Sequence, residues 1–244
     1  HTRFTNIMNI LLLGATGSIG DSVLSVIEEN HSELNLFGIT FHKNKNKSQE
    51  IIKDFKPEFA YVEDRSTFED LKDTSDITFL NGDSSLKELI EHDDVDVIIS
   101  AISGFAGLKA TYFAASTGKK ILLANKESIV AGGDLITARA KKFNSKIIPI
   151  DSEHNAIFQC LSGQRSPDDV QNITITASGG PFIGKKISDL KDVTKDDALN
   201  HPNWDMGSKI SIDSATLVNK CLELIEAKYL FDLEESIFDL VIHP

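Results

Sequence analysis

The chain has 244 residues, of which 41% are hydrophobic and 25% charged, and its net charge is −12. That balance is ordinary for a water-soluble globular protein with room for two domains, and it disfavours a nucleic-acid surface. No apolar run approaches the roughly 18–20 residues of a membrane-spanning helix, so no membrane partner is expected.

Cys160 and Cys221 are far apart and outside any redox or zinc spacing, which argues against disulfides and fits a reducing cytoplasm. Residues 1–5 read as a non-native leader. Val241 and Ile242 read as a strand that a longer protein would continue.

Residues 9–13 form an apolar strand, followed at once by Gly14-Ala15-Thr16-Gly17-Ser18-Ile19-Gly20 and by helical periodicity over 18–29. Strand, glycine turn and helix is the setting of a phosphate-binding loop, in which glycines admit a diphosphate and the helix N-terminus supplies N–H donors. The spacing is GxxGxxG rather than the commoner GxGxxG, and a purely structural turn is the alternative. Residues 34–40 read as the second strand. An NAD site often carries an acid at that strand's end. Here Phe41-His42-Lys43-Asn44-Lys45-Asn46-Lys47 follows, a cationic loop suited to a 2′-phosphate and hence to NADP, or simply a solvated loop.

The alternation continues with a helix over 51–55 and strands at 59–62 and 77–80. A helix over 84–91 is expected to be capped by Asp83. A strand spans 95–101, a helix runs from 108 to 117 until Gly118 ends it, and a further strand covers 121–124. Repeating strand–helix units predict a doubly wound, Rossmann-like parallel sheet over residues 1–150, with functional groups at the carboxyl ends of its strands. Asn125-Lys126-Glu127 sits at one such end; an exposed ion pair at a helix start is the alternative.

Residues 147–150 form a short apolar strand that opens onto Asp151-Ser152-Glu153. Extended backbone would place both carboxylates on one side, where their repulsion calls for a divalent cation or a shared proton. The competing reading is an acidic cap on the helix that follows. After Glu153 the strand–helix alternation stops, and residues 151–244 read as a second domain. A strand over 172–177 ends in Ser178-Gly179-Gly180, which offers a hydroxyl and amides to an oxyanion or forms a mere turn. Residues 184–212 are polar and irregular, with short helical turns at 187–190 and 196–199. The loop His201-Pro202-Asn203-Trp204-Asp205-Met206-Gly207 holds the sole tryptophan and reads as a lid or as a loop anchored by that ring. Residues 214–231 are expected to form one regular helix. It brings Asn219, Lys220 and Glu223 within a turn, to serve a phosphate and a metal or to make an exposed Lys220–Glu223 pair.

Taken together, GATGSIG (14–20), ILLANKES (121–128), PIDSEHNAIFQ (149–159), ASGGPF (177–182), HPNWDMG (201–207), KISIDSATLVNK (209–220), LELIEA (222–227) and IHP (242–244) closely resemble the 1-deoxy-D-xylulose 5-phosphate reductoisomerase family. The resemblance implies NADPH-dependent conversion of 1-deoxy-D-xylulose 5-phosphate to 2-C-methyl-D-erythritol 4-phosphate, by carbon–carbon rearrangement and then hydride transfer. It assigns the NADPH diphosphate to Thr16, Gly17, Ser18 and Ile19, and the 2′-phosphate end to Lys43 and Asn44. Asn125, Lys126, Glu127 and Gly207 complete the cofactor site. A divalent metal, Mg²⁺ or Mn²⁺, falls to Asp151, Glu153 and Glu223, an all-oxygen set unsuited to zinc.

The resemblance further implies that Ser152, Glu153, Ser178, His201, Ser214, Asn219, Lys220 and Glu223 bind the sugar phosphate. Ser178, Ser214, Asn219 and Lys220 would surround its phosphate. Glu153 is the expected proton carrier, and His201, Trp204 and Met206 the expected flap. It also implies that residues 151–244 are a partial α+β catalytic domain, and it implies a homodimer and a chain that continues past IHP into a helical domain. His42 stands where the family often has a small residue, which bears on the adenosine contacts. Two rivals remain. A semialdehyde-type dehydrogenase would need a nucleophilic cysteine, and a non-catalytic nucleotide-binding module would need no metal.

Overall fold

The computed structural model describes residues 7–163, 170–201 and 207–243. It divides into two compact units, one running to Ile150 and the other starting at Asp151.

The first unit alternates strand and helix: β1 (Met8–Leu13), α1 (Ser18–Glu29), β2 (Leu34–Phe41), α2 (Lys45–Phe55), β3 (Phe59–Val62), α3 (Arg65–Leu71), β4 (Thr78–Leu80), α4 (Asp83–Glu91), β5 (Val97–Ser100), α5 (Leu108–Ala114), β6 (Lys120–Leu123), α6 (Lys126–Phe143) and β7 (Lys146–Pro149). The seven strands form one parallel sheet in the order β4-β3-β2-β1-β5-β6-β7. The order reverses between β1 and β5, and in such sheets the crevice outside the strand ends at the reversal is the place for a ligand. Central strands are buried on both faces, so they need continuous apolar runs. Leu11, Leu12, Leu13 and Ile98 supply them, each fully buried. On α1 the buried positions Gly20, Leu24 and Ile27 recur at helical spacing and face the sheet.

Two local expectations need correction here, and α3 is a helix that the sequence pattern does not predict. Lys45 and Lys47 do not lie in a loop: α2 begins at Lys45, and the Asn44 side chain caps it by accepting from the Lys47 N–H. Asp83 does not cap α4; it is the first helical residue, and Gly82, at φ 92°, holds the cap position. The helix α3 carried no apolar periodicity to announce it, only its cap: Asp64 accepts from the Thr67 N–H and hydroxyl at 2.9 Å each.

The second unit comprises α7 (Ser152–Leu161), β8 (Ile173–Ala177), a 3₁₀ turn (Ile187–Leu190), α8 (Lys195–Leu199), α9 (Ser208–Ala215), α10 (Val218–Phe231) and β9 (Phe238–Ile242). Strands β8 and β9 pair in parallel. Ile157 of α7, Ile175 of β8 and Ala227 of α10 form a small core with Leu224 and Phe238 against it. The expected single helix over 214–231 is broken: α9 ends at Ala215, and Leu217 takes a left-handed conformation, φ 61°, before α10 starts. Part of the supposedly irregular 184–212 segment is therefore helical. Among the described residues no helix is long and apolar enough to cross a membrane.

Candidate functional site

In the first unit the glycine turn is built by close approach. Gly14 sits at φ 89°, and a Cβ there would meet the Ala101 carbonyl oxygen at 2.7 Å, so the turn needs glycine twice over. A Cβ on Gly20 would lie 2.2 Å from the Ala15 carbonyl oxygen, which lets α1 start directly over the turn. The Gly14 N–H donates to the Thr40 hydroxyl at 2.9 Å, tying the turn to the end of β2. The first amides of α1 have no acceptor within the helix, and the helix dipole adds partial positive charge there. Beside them opens a cavity of about 980 Å³, lined by Thr16 and Gly17, by Thr40–His42 and by the Ala101–Ser103 segment after β5. Ser18 and Ile19 are the first residues of α1.

The three lysines of the cationic stretch each face a carboxylate: Lys43 Nζ to Asp64 at 3.5 Å, Lys45 to Asp70 at 2.7 Å and Lys47 to Asp21 at 2.6 Å. Lys43 has the longest of these contacts, and 64% of its side chain is exposed, so it is the one best placed to take an incoming anion. The Asp64 carboxyl is held below its usual range, first by the Thr67 N–H and hydroxyl and then by Lys43.

Asn125 caps α6 and is buried. Its amide donates to the Ile102 and Gly104 carbonyls, the latter at 3.0 Å, and its oxygen accepts from the Ser128 N–H at 3.0 Å. Its side chain thus grips the loop after β5. A buried hydroxyl chain, Ser100–Thr111–Ser128, extends this network across β5, α5 and α6. Lys126, also buried, and Glu127 follow in the first turn of α6.

In the second unit, oxygens of Asp151, Glu153 and Glu223 lie within 4.8 Å of one another. Asp151 occupies the cap position of α7 on extended backbone and Glu153 lies in the first helical turn, so the acidic cap and the carboxylate pair coexist, but the backbone is extended only as far as Asp151. Glu223 reaches them from α10. Lys220 Nζ donates to Glu223 at 2.6 Å and also to Glu153, while Asn219 donates to Glu223. The expected alternative of an exposed Lys220–Glu223 pair fails on burial: their side chains are 9% and 1% exposed. Three carboxylates this close repel one another, and a single ammonium does not balance them. An all-oxygen donor set of this charge fits a hard divalent cation.

Two further residues belong to the cluster and were missed in the sequence. His154 and Glu226 are both fully buried, 3.3 Å apart, and His154 Nδ1 is 3.6 Å from Asp151. His154 Nε2 donates to the Glu223 carbonyl at 2.9 Å, since a carbonyl only accepts. Burial alone would depress the His154 pKa, but Asp151, Glu226 and the Glu223 carbonyl reverse it, and the net shift is upward. The available signals were the i, i+3 spacings Asp151–His154 and Glu223–Glu226, each of which puts two polar groups on one helix face. Asp151, His154 and Glu226 also lie within 4.8 Å of one another, but that set is more enclosed than the first.

Ser178 directly follows β8, and its hydroxyl is 3.0 Å from His201 Nε2. Gly180, at φ 67°, is packed so closely on the end of α9 that a Cβ would meet the Ser214 carbonyl oxygen at 2.8 Å. Ser178, His201 and the Ser214 backbone therefore gather at one place. Ser152 opens α7 and Gly207 precedes α9. The expected flap residues Trp204 and Met206 lie outside the described residues.

Residues 10–133 match the family model for 1-deoxy-D-xylulose 5-phosphate reductoisomerase, and residues 147–231 match that of its C-terminal domain. The reductoisomerase of Francisella tularensis subsp. novicida is 48% identical over 96% of this chain, and that of Vesicomyosocius okutanii 45% over 97%. The chain spans 62% of the length of either relative. A crystal structure of DOX-P reductoisomerase in complex with NADPH, fosmidomycin and magnesium superposes with a TM-score of 0.92 at 42% identity, covering 98% of this chain and 62% of the other. The Zymomonas mobilis enzyme in complex with NADPH gives 0.88 at 39% identity, with the same coverage. The chain belongs to the 1-deoxy-D-xylulose 5-phosphate reductoisomerase family.

Proposed function

We propose that the protein is an NADPH-dependent, metal-assisted reductoisomerase that converts 1-deoxy-D-xylulose 5-phosphate to 2-C-methyl-D-erythritol 4-phosphate in isoprenoid biosynthesis. The observation that carries this reading is the convergence of Asp151, Glu153 and Glu223 beside Lys220 and Asn219. When bound, NADPH supplies the hydride, and a Mg²⁺ or Mn²⁺ ion held by the three carboxylates supplies Lewis acidity.

The chain's own residues then have distinct tasks. The segment Thr16, Gly17, Ser18 and Ile19 holds the diphosphate at the start of α1, with Gly17 giving close backbone approach while its own N–H is turned to the Gly14 carbonyl. Lys43 meets the 2′-phosphate, and Asn44 fixes the start of α2 beside it. Asn125 keeps the loop after β5 in place, with Lys126, Glu127 and Gly207 assigned to the rest of the cofactor. Ser178, Ser214, Asn219 and Lys220 hold the sugar's phosphate, and Ser152 and His201 hold its chain. Glu153, within reach of Lys220, moves the proton when the carbon skeleton rearranges. The rearrangement itself is redox-neutral. The aldehyde it yields would become an alcohol by taking up one proton and one hydride, the hydride being what the bound cofactor would supply. We place the protein in the cytoplasm as a homodimer.

Absorbance of the reduced nicotinamide tests the reading directly. NADPH consumption should require both the sugar phosphate and Mg²⁺ or Mn²⁺, and should stop on chelation. Consumption that ignores the metal would refute it. Cys160 and Cys221 are exposed free thiols, so alkylation should leave the activity intact; loss of activity would instead favour a cysteine-dependent dehydrogenase.

A further inference from the structure

The cavity beside the glycine turn continues past β2 to the end of β3, where Tyr61, Glu63 and Lys109 line it. In a sheet of this order the ribose that carries the base is held at the end of β2, so the base itself extends toward β3. Leu86 and Ile102 give that end of the cavity apolar walls, suited to the faces of an aromatic ring. What stands at the rim is an acceptor. Glu63 Oε2 accepts from the Tyr61 hydroxyl at 2.7 Å. Its Oε1 lies 3.7 Å from Lys109 Nζ, which bonds mainly to Asp83, at 2.5 Å. Tyr61 is 3% exposed and paired in the sheet opposite Thr40, so the phenol that bonds the carboxylate is packed within the fold. Burial and the adjoining Glu63 push the Tyr61 pKa up, which keeps its hydroxyl a donor. A carboxylate has about four acceptor positions; Tyr61 bonds one of them, and Lys109 stands near as a counter-ion only. The carboxylate lines the cavity and is half-exposed, so it has acceptor capacity left for an N–H of a bound molecule.

We propose that Glu63, aimed by Tyr61 and Lys109, is a specificity-determining residue that accepts a hydrogen bond from the 6-amino group of the cofactor's adenine. The proposal rests on the NADPH reading of this cavity and adds to it which atom of the base is read and by what. A 6-oxo base would set an acceptor against the carboxylate, and the hydrogen bond between base and Glu63 would be lost. The bland alternative is that Glu63 is no more than a half-exposed counter-ion for Lys109.

The two separate when the protein is titrated with NADPH and with reduced nicotinamide hypoxanthine dinucleotide phosphate, followed by nicotinamide fluorescence. The hypoxanthine cofactor should bind about tenfold more weakly, the cost of one lost hydrogen bond to a charged group. Glu63→Gln should bring the two dissociation constants to within about twofold, because an amide can present either its oxygen or its nitrogen. Lys43→Ala should weaken both cofactors by the same factor. Equal binding of the two by the wild type, or a ratio that survives Glu63→Gln, overturns the proposal while leaving the cofactor reading in place. Failure of NADPH itself to bind overturns both.

Discussion

Replacing Lys43 with alanine isolates the contact that separates NADPH from NADH. Lys43 is the least committed of the three lysines after β2: its ammonium is 3.5 Å from Asp64 and largely exposed, whereas Lys45 and Lys47 sit at 2.7 and 2.6 Å from their partners. A 2′-phosphate carries up to two negative charges and would draw Lys43 away from the single charge of Asp64. Two unit charges 4 Å apart near a surface interact by about 4 kcal/mol, but exposure and salt leave a fraction of that. A net loss of about 1.4 kcal/mol, or about tenfold in Kd, is therefore expected for NADPH. NADH lacks the phosphate and should change by less than about twofold, within the usual effect of a surface substitution. The complementary change is Asp64→Asn. Asparagine caps a helix as well as aspartate does, so α3 should survive while the phosphate loses a competitor for Lys43. NADPH affinity should then rise about two- to threefold, the scale of an exposed ion pair. Both constants are read by nicotinamide fluorescence titration. Equal loss of NADPH and NADH affinity in Lys43→Ala would refute the 2′-phosphate assignment.

Gly20→Ala should be costly although alanine is the better helix former, because its Cβ would overlap the Ala15 carbonyl. A loss of about 2–3 kcal/mol in urea unfolding is expected, as for other overpacked sites, and an unchanged midpoint would contradict the close packing of α1 on the turn. Glu226→Ala should destabilise the second unit by about 3 kcal/mol, since it removes the fully buried carboxylate 3.3 Å from the equally buried His154. A neutral effect would mean that His154 does not depend on Glu226.

The sheet of the first unit is legible in the sequence because burial on both faces demands unbroken apolar runs, such as residues 10–13 and 97–99, and because glycines mark the turn that follows the first. The start of α2 is not legible, since its first two turns are Lys, Asn, Ser, Gln and Glu and no apolar repeat appears before Ile51. The break between α9 and α10 is hidden for a different reason. Leucine is a poor marker for a left-handed residue, yet Leu217 takes that conformation, and neither glycine nor proline stands nearby to warn of it. At the site, Asp151 and Glu153 stand out because adjacent acids are conspicuous. His154 and Glu226 look like ordinary helix residues until the packing of α7 against α10 buries them together. The convergence of α7 with α10 is a tertiary fact, which no local pattern announces.

The central claim is that Asp151, Glu153 and Glu223 form one divalent-cation site. Titration with Mn²⁺, monitored by electron paramagnetic resonance, measures that without substrate or turnover. The wild type should bind one equivalent. Glu223→Gln keeps the shape and removes one of the three ligand charges, so it should weaken binding by about 100-fold, about 3 kcal/mol, with NADPH affinity unchanged. Mn²⁺ binding that is absent in the wild type, or indifferent to Glu223→Gln, would contradict it.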